Sequence, residues 1–244
     1  MAFDALIAQA HMAQFGTRPE QLAGIAVACR AHAARNPAAQ MRDPISVDDV
    51  LESRLIADPL RLLDCSLVSD GGSAVVLCSA ERARDLQHDP VYVLGAGEGH
   101  SHEHISAARS LTTSAAKEAG ERAYAMAGLG PSDMDIAQLY DCFTPTVLVE
   151  LEDLGFCAKG EGGAFVDSGA LGPGGELPVN THGGLLSHCH PGNPGSMFAL
   201  TETIWQLRHA AGARQVENAR HALVHAQGGI MSSHTALVLS RVAV

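Results

Sequence analysis

Short apolar runs of strand length recur along the chain, with helix-length stretches between most of them. The runs are Ala74–Cys78, Val91–Gly95, Asp135–Leu139, His221–Ala226 and Ser232–Arg241. A run that is apolar on both faces belongs inside a sheet covered above and below. Intervening helices of ~12–17 residues supply that cover, so the pattern predicts α/β layers around a sheet. The helices expected span 3–14, ended by Gly16, and about 18–35, ended by Asn36-Pro37. Thr17-Arg18-Pro19-Glu20 reads as a capping box with Thr17 as cap. Further helices are expected at 47–52, 80–86, 113–129, from cap Thr144 to Leu154, and from Met197 to Arg208, with 157–179 irregular.

Composition narrows the functional classes. The chain has 244 residues, is 46% hydrophobic and carries a net charge of −11. It holds no block of Lys and Arg, which argues against nucleic acid as a partner. No run of ~18 apolar residues suggests a membrane span, and the first residues do not read as an export signal. The six cysteines, Cys29, Cys65, Cys78, Cys142, Cys157 and Cys189, show no CxxC spacing. Reduced thiols in a cytoplasm are therefore expected.

The densest chemistry lies between Asn180 and Ser196, where three histidines, Cys189 and several glycines precede a helix. Glycines allow backbone to approach a ligand, and imidazoles exchange protons near neutral pH. His182, His188, Cys189 and His190 could form a metal site by composition, but alternate residues of one loop rarely close a tetrahedral set, so no metal is expected. An adjacent Cys–His pair points apart on an extended chain, which makes Cys189 an awkward nucleophile. His100, His102 and His104 are expected in a solvated loop.

Four segments, taken together and in order, resemble the thiolase superfamily, and most of all its sterol-carrier, or lipid-transfer, branch. Asp64-Cys65-Ser66-Leu67-Val68-Ser69-Asp70-Gly71-Gly72 is similar to a segment whose serine lies near bound coenzyme A. Tyr140-Asp141-Cys142-Phe143 resembles the branch's His-Asp-Cys-Phe motif. Asn180 to Ser196 resembles the motif that carries the catalytic histidine. His225-Ala226-Gln227-Gly228-Gly229 stands where many thiolases have Cys-x-Gly-Gly-Gly. The resemblance implies a thiolase-like α-β-α-β-α layered fold. In it, residues 1–88 would be the remainder of the N-terminal half with its loop region, and 89–244 a complete C-terminal half. The first strands and the helix bearing the nucleophilic cysteine would then have to come from elsewhere, by homodimerisation or from a hetero-oligomeric partner.

The same resemblance assigns candidate roles. His190 would be the base that activates a thiol or holds the thioester oxygen, and His225 a second acid/base. Tyr140 replaces a histidine; a phenol with pKa ~10 donates hydrogen bonds but is a poor base near neutrality. Asp141 would orient His190 or accept backbone N–H groups at a helix start. The Gln227-Gly228-Gly229 turn would offer amides to an oxyanion. Ser66, Gly183 and Gly184 would line the coenzyme A site. No tightly bound cofactor is expected, with a coenzyme A thioester as substrate. Three readings follow: a thiolase-like acyltransferase subunit or partial chain acting on lipid or sterol-derived thioesters, a retro-aldolase acting on β-hydroxyacyl-CoA, or a non-catalytic coenzyme A-binding assembly subunit or fragment.

Overall fold

The computed structural model describes residues 1–192 and 194–243, so Asn193 of the histidine-rich motif lies outside the described residues. The chain opens with α1 (Ala2–Phe15), α2 (Pro19–Ala33) and α3 (Val47–Glu52), then a small hairpin of β1 (Leu55–Ala57) and β2 (Leu60–Arg61). A short α4 (Ala80–Ala83) precedes β3 (Tyr92–His100), α5 (Ala116–Ala127), β4 (Ile136–Gln138), α6 (Thr144–Asp153) and α7 (Gly162–Asp167). A π-helical turn at Gly184–His188 leads to α8 (Gly195–Leu207), β5 (His221–Gly228) and β6 (Ser233–Ser240). The main sheet has the order β3-β6-β5-β4. β4 runs parallel to β5, and the other two pairings are antiparallel. This mixed α/β architecture agrees with the layers expected from the sequence.

α6 is the centre of the packing, because all ten of its residues are buried. A helix surrounded in this way needs neighbours on every side. Val147, Leu148 and Leu151 join one core with Leu22, Ile25 and Cys29 of α2, Ala119 and Ala123 of α5, Leu223 of β5 and Val238 of β6. The acids of α6 are partnered in two cases. Glu152 takes Nε2 of His11 at 3.0 Å and Nζ of Lys159 at 3.0 Å. Asp153 accepts the Ser114 amide at 2.7 Å and pairs with Lys159 at 2.6 Å. Such pairs offset the cost of burying a charge, which is large for an unpaired group.

α5 lies directly on β3 because alternate strand residues are glycine. A Cβ on Gly95, Gly97 or Gly99 would overlap the backbone oxygens of Ala123, Ala119 and Ala115 respectively. The period of two in the strand meets the period of about four in the helix, and backbone touches backbone.

Several local expectations change in the folded chain. Arg18, not Thr17, caps α2, with its amide donating to Gln21 Oε1 at 2.9 Å. Thr17 is drawn away by a 2.6 Å hydrogen bond to Nδ1 of buried His11. Thr144 likewise does not cap α6; Phe143 holds that position and the Thr144 hydroxyl donates to Asp64 at 2.8 Å. The run Ala74–Cys78 is not a strand. Val76 is 93% exposed and Leu77 81% exposed, because no described strand lies beside it to satisfy its backbone. β3 is longer than expected, forms an edge and reaches His100, which therefore stands in the strand rather than a loop. Residues 157–179 contain the short α7. Gln227 and Gly228 belong to β5, opposite His234 and Ser233, and the turn itself is 229–232. Among the described residues no helix is long and apolar enough to cross a membrane.

Gly97→Val forces a side chain into the α5 backbone, and overpacking of this kind costs about 1–3 kcal/mol or more. We expect the midpoint of thermal unfolding to fall by roughly 2–4 °C per kcal/mol. A calorimetric scan of the variant showing no loss would contradict the backbone contact.

Candidate active site

The loop carrying His190 is held by a carboxylate. Asp141, fully buried at the end of β4, accepts the amides of Leu185 at 2.7 Å and Leu186 at 3.3 Å, the first groups of the π-helical turn. Free N–H groups at such a terminus favour an acidic partner. A Cβ on Gly184 would overlap that carboxylate, and one on Gly183 would sit 2.6 Å from the Cβ of Ala33. Both glycines also take positive φ, 106° and 63° in chain order. The sequence suggested that these two glycines face coenzyme A; the structure turns them against Ala33 and Asp141, where only hydrogen fits. Asn180 has φ 56° and accepts the Leu139 amide on Oδ1 at 2.8 Å, tying the loop to the end of β4.

His190 leaves this loop half-buried between two hydroxyls. Its Nδ1 lies 2.7 Å from Ser66 Oγ and its Nε2 3.1 Å from the Tyr140 phenol oxygen. The two aromatic rings meet edge to face, with centroids 5.9 Å apart. Ser69 Oγ accepts the His190 amide at 2.6 Å. The extended segment 65–69 runs between the two loops, with the Ser66 amide on the Cys142 carbonyl and the Leu67 amide on the Leu185 carbonyl. Ser66, inferred to lie near coenzyme A, is thus the residue that orients His190. Two tautomers satisfy both contacts: the phenol donates to Nε2 and Nδ1–H donates to Ser66, or Ser66 donates to Nδ1 and Nε2–H donates to the phenol oxygen. Asp141, inferred as a possible orienting group, makes its hydrogen bonds to the π-turn amides and to the Cys29 thiol, 3.6 Å away.

Burial sets the electrostatics. It lowers the pKa of His190, so the ring is a neutral acceptor near pH ~7. Burial first, then Cys142, Asp141 and Glu150, raises the Tyr140 phenol to about 12, so near neutral pH it is a neutral phenol and not a phenolate. Burial raises the thiols of Cys29 and Cys142 well above their usual value, and holds Cys65 and Cys189 at about 11 and Cys157 at about 12. None of these five is poised as a thiolate nucleophile.

His225 occupies a different environment. It is completely buried on β5, with Nε2 2.9 Å from Nδ1 of His234 and Nδ1 3.4 Å from Glu150 Oε2. Both ring nitrogens face protein groups, which points to a supporting role rather than direct acid/base work on a substrate. Gln227 links this strand to the Tyr140–Phe143 segment through its Nε2, 3.5 Å from Cys142 Sγ, while its Oε1 accepts the Met231 amide at 3.0 Å. The turn beyond has three successive residues at positive φ, Gly229 at 62°, Ile230 at 57° and Met231 at 60°. A β-branched residue in that region is strained.

Other histidines lie apart from this site. His188 Nδ1 is 2.7 Å from Asn36 Nδ2, and its ring is tilted by 52° against buried His182, with centroids 5.2 Å apart. His100, His102 and His104 find Ser233, Ser101 and Ser106 respectively. Ser69, Glu150 and His234 are site neighbours that the sequence reading passed over. Ser69 lay inside a quoted motif. His234 is on the same sheet face as His225, two residues from its ladder partner Ala236, which hairpin register alone would show.

Residues 97–241 match the model of the thiolase C-terminal domain-like family, and the chain belongs to that family. It is 40% identical over 238 residues to an acetyl-CoA acetyltransferase of Methanothermobacter thermautotrophicus, covering 97% of this chain and 62% of that protein. It is 41% identical over 235 residues to a steroid side-chain-cleaving aldolase of Thermomonospora curvata, covering 94% of this chain and 59% of the relative. Among solved structures, the Ltp2-ChsH2(DUF35) aldolase superposes with a TM-score of 0.88 at 36% identity, over 98% of this chain and 62% of that one. The chain therefore spans about three-fifths of the length of the curated relatives it matches.

Burial, opposed by the Leu185 and Leu186 amides, raises Asp141 to about 6. A carboxyl raised above its usual pKa of about 4 binds its proton more tightly in the folded chain, so its contribution to stability falls as pH rises from about 4 to about 6. Asp141→Asn removes the titration. The stability of this variant relative to the parent should improve across that window by up to about 2–3 kcal/mol, read by urea unfolding at its two ends. A constant difference would contradict the raised pKa.

Proposed function

We propose that the chain contributes the acid/base half of a thiolase-like site that breaks a carbon–carbon bond in an acyl-CoA thioester, most simply by a retro-aldol step on a β-hydroxyacyl-CoA. The observation that carries this reading is the Ser66–His190–Tyr140 relay, with a neutral imidazole between two hydroxyls and no activated thiol among the cysteines described above. Thiolysis needs a sulfur nucleophile; retro-aldol cleavage needs only a base for the hydroxyl proton and a donor for the enolate. In the proposed step the phenol oxygen of Tyr140 accepts the proton of the substrate's β-hydroxyl while its own proton passes to Nε2 of His190. The hydroxyl oxygen becomes the ketone, the Cα–Cβ bond breaks, and its electron pair forms the thioester enolate. Protonation of that enolate at carbon returns the system to neutrality. The Thermomonospora curvata relative, described as a steroid side-chain-cleaving aldolase, supports this chemistry and a polycyclic or lipid acyl group.

A second reading, acyl transfer, is favoured by the acetyl-CoA acetyltransferase relative. It requires a thiolate that none of the five buried or half-buried cysteines above is poised to supply. A partner also belongs to the proposal. Val68 is 99% exposed, and the bare run around Val76 and Leu77 borders a groove of about 1050 Å³ lined by Trp205, Ile204 and Arg208. Strands supplied by another polypeptide would cover this apolar surface. The solved aldolase pairing Ltp2 with ChsH2(DUF35) makes a hetero-oligomer the first form to examine.

The discriminating assay supplies a β-hydroxyacyl-CoA and, separately, a 3-ketoacyl-CoA with free coenzyme A, to the chain alone and to the chain with its co-encoded partner. Ketone release from the first substrate is expected. His190→Ala and Tyr140→Phe should each lower that rate by about 10²-fold or more, the usual range for a general acid or base. Undiminished rates in both variants would overturn the assignment, and acetyl-CoA formation from the second substrate alone would favour acyl transfer.

A further inference from the structure

Among the described residues, Glu150 is the one acid of α6 to which no salt-bridging lysine or hydrogen-bond donor is offered. It is fully buried, and neither carboxyl oxygen has a hydrogen-bond partner there. Its Oε2 is 3.4 Å from Nδ1 of His225, a ring nitrogen likewise without a hydrogen bond. Nε2 of the same ring is 2.9 Å from Nδ1 of His234, and the two imidazoles stack with centroids 5.1 Å apart. Nε2 of His234 has no hydrogen bond either.

One donor atom from each of these residues lies within 4.8 Å of the others, a spacing that a divalent cation could bridge. The direction of the atoms argues for a proton instead. A chelate needs one lone pair per ring aimed at a shared point. His225 meets its two neighbours with different ring nitrogens, Nδ1 toward Glu150 at 3.4 Å and Nε2 toward His234 at 2.9 Å, and a proton fits each of those gaps.

The charges agree with that geometry. Burial, then Asp141 and Asp153, pushes the Glu150 carboxyl well above its usual range, against a lowering contribution from the Tyr140 backbone. Burial holds His225 and His234 at about 3, so neither supplies a compensating positive charge. The groups facing this line are Tyr140, Asp141 and Cys142 before α6, Asp153 on α6, His225 on β5, His234 on β6, and His102 beyond it. None is a cation near neutral pH that would hold a carboxylate ionised.

We propose that Glu150 is a neutral carboxylic acid that donates its O–H to Nδ1 of His225, and that it is a positioning residue behind the candidate site. It fixes the proton of His225 on Nε2, which donates to Nδ1 of His234, and leaves the His234 proton on Nε2. Near neutral pH it also adds no negative charge behind Tyr140, whose phenol burial already raises. Only this last consequence rests on the functional reading of Tyr140 and His190.

The test uses the full chain. Infrared spectra near neutral pH should show a protonated-carboxyl stretch that disappears in Glu150→Gln. Histidine ¹⁵N spectra should report Nδ1 of His225 as an acceptor and Nε2 as protonated. The Glu150→Gln variant carries a side-chain amide that can still donate, so it should preserve this signature, and Glu150→Leu should lose it. Absence of the protonated-carboxyl band would overturn the proposal, as would one equivalent of zinc bound by the parent and lost in both Glu150→Gln and His234→Ala. If Glu150→Leu fails to fold, the parent and Glu150→Gln spectra decide the question. These spectra require no turnover, so failure of the retro-aldol reading leaves them intact.

Discussion

Burying α6 on every side is the constraint from which the rest of the structure follows. Ten consecutive residues out of water include Thr144, Thr146, Glu150, Glu152 and Asp153, none of which can be left without an account. His11 comes from α1 for Glu152, Lys159 from the following loop, and Ser114 from the entry to α5 for Asp153. The polar groups of one helix thereby fix the places of α1, the loop after α6 and the entry to α5, while its leucines and valine form the core with α2, α5 and the sheet.

The segment before α6 transmits this rigidity to the chemistry. Asp141 grips the π-helical turn, Tyr140 meets His190, and Cys142 meets both the Ser66 amide and Gln227. Tyr140–Phe143 is thus a hub between the His190 loop and the β5–β6 hairpin. Its side chains cannot move far, because the helix they lead into is packed on all faces. A hydrogen-bonded pair held in this way is pre-organised, which is where an enzyme gains over solution chemistry.

The electrostatic character is one of desolvated groups, most of them neutral near pH ~7, with Asp141 the carboxylate among them. His190, His225 and His234 are depressed, and Asp141, Glu150, Tyr140 and the buried thiols are raised, each chiefly by burial. A site of neutral donors and acceptors in a low dielectric favours proton transfers in which charge appears only at the transition state. The five thiols raised by burial lie in the same desolvated surroundings.

The sequence by itself determined the layered α/β class, the strands at Asp135–Leu139, His221–Ala226 and Ser232–Arg241, and most helices, and it singled out His190 as a candidate. These are properties of local pattern: apolar runs, glycine and proline stops, and four motifs in order. It also exposed Ser66, although for coenzyme A rather than for His190. The tertiary structure decided which atoms meet. Thr17 and Thr144 have the right chemistry to cap helices, yet His11 and Asp64 offered stronger partners from distant parts of the chain. Ala74–Cys78 has the composition of a strand, yet a strand exists only if a neighbour supplies the other half of its hydrogen bonds. Glu150 and His225 lie 75 positions apart in the chain, so no window of residues could reveal that a proton belongs between them. Pattern is local and was legible; pairing across the fold depends on distances that only packing creates.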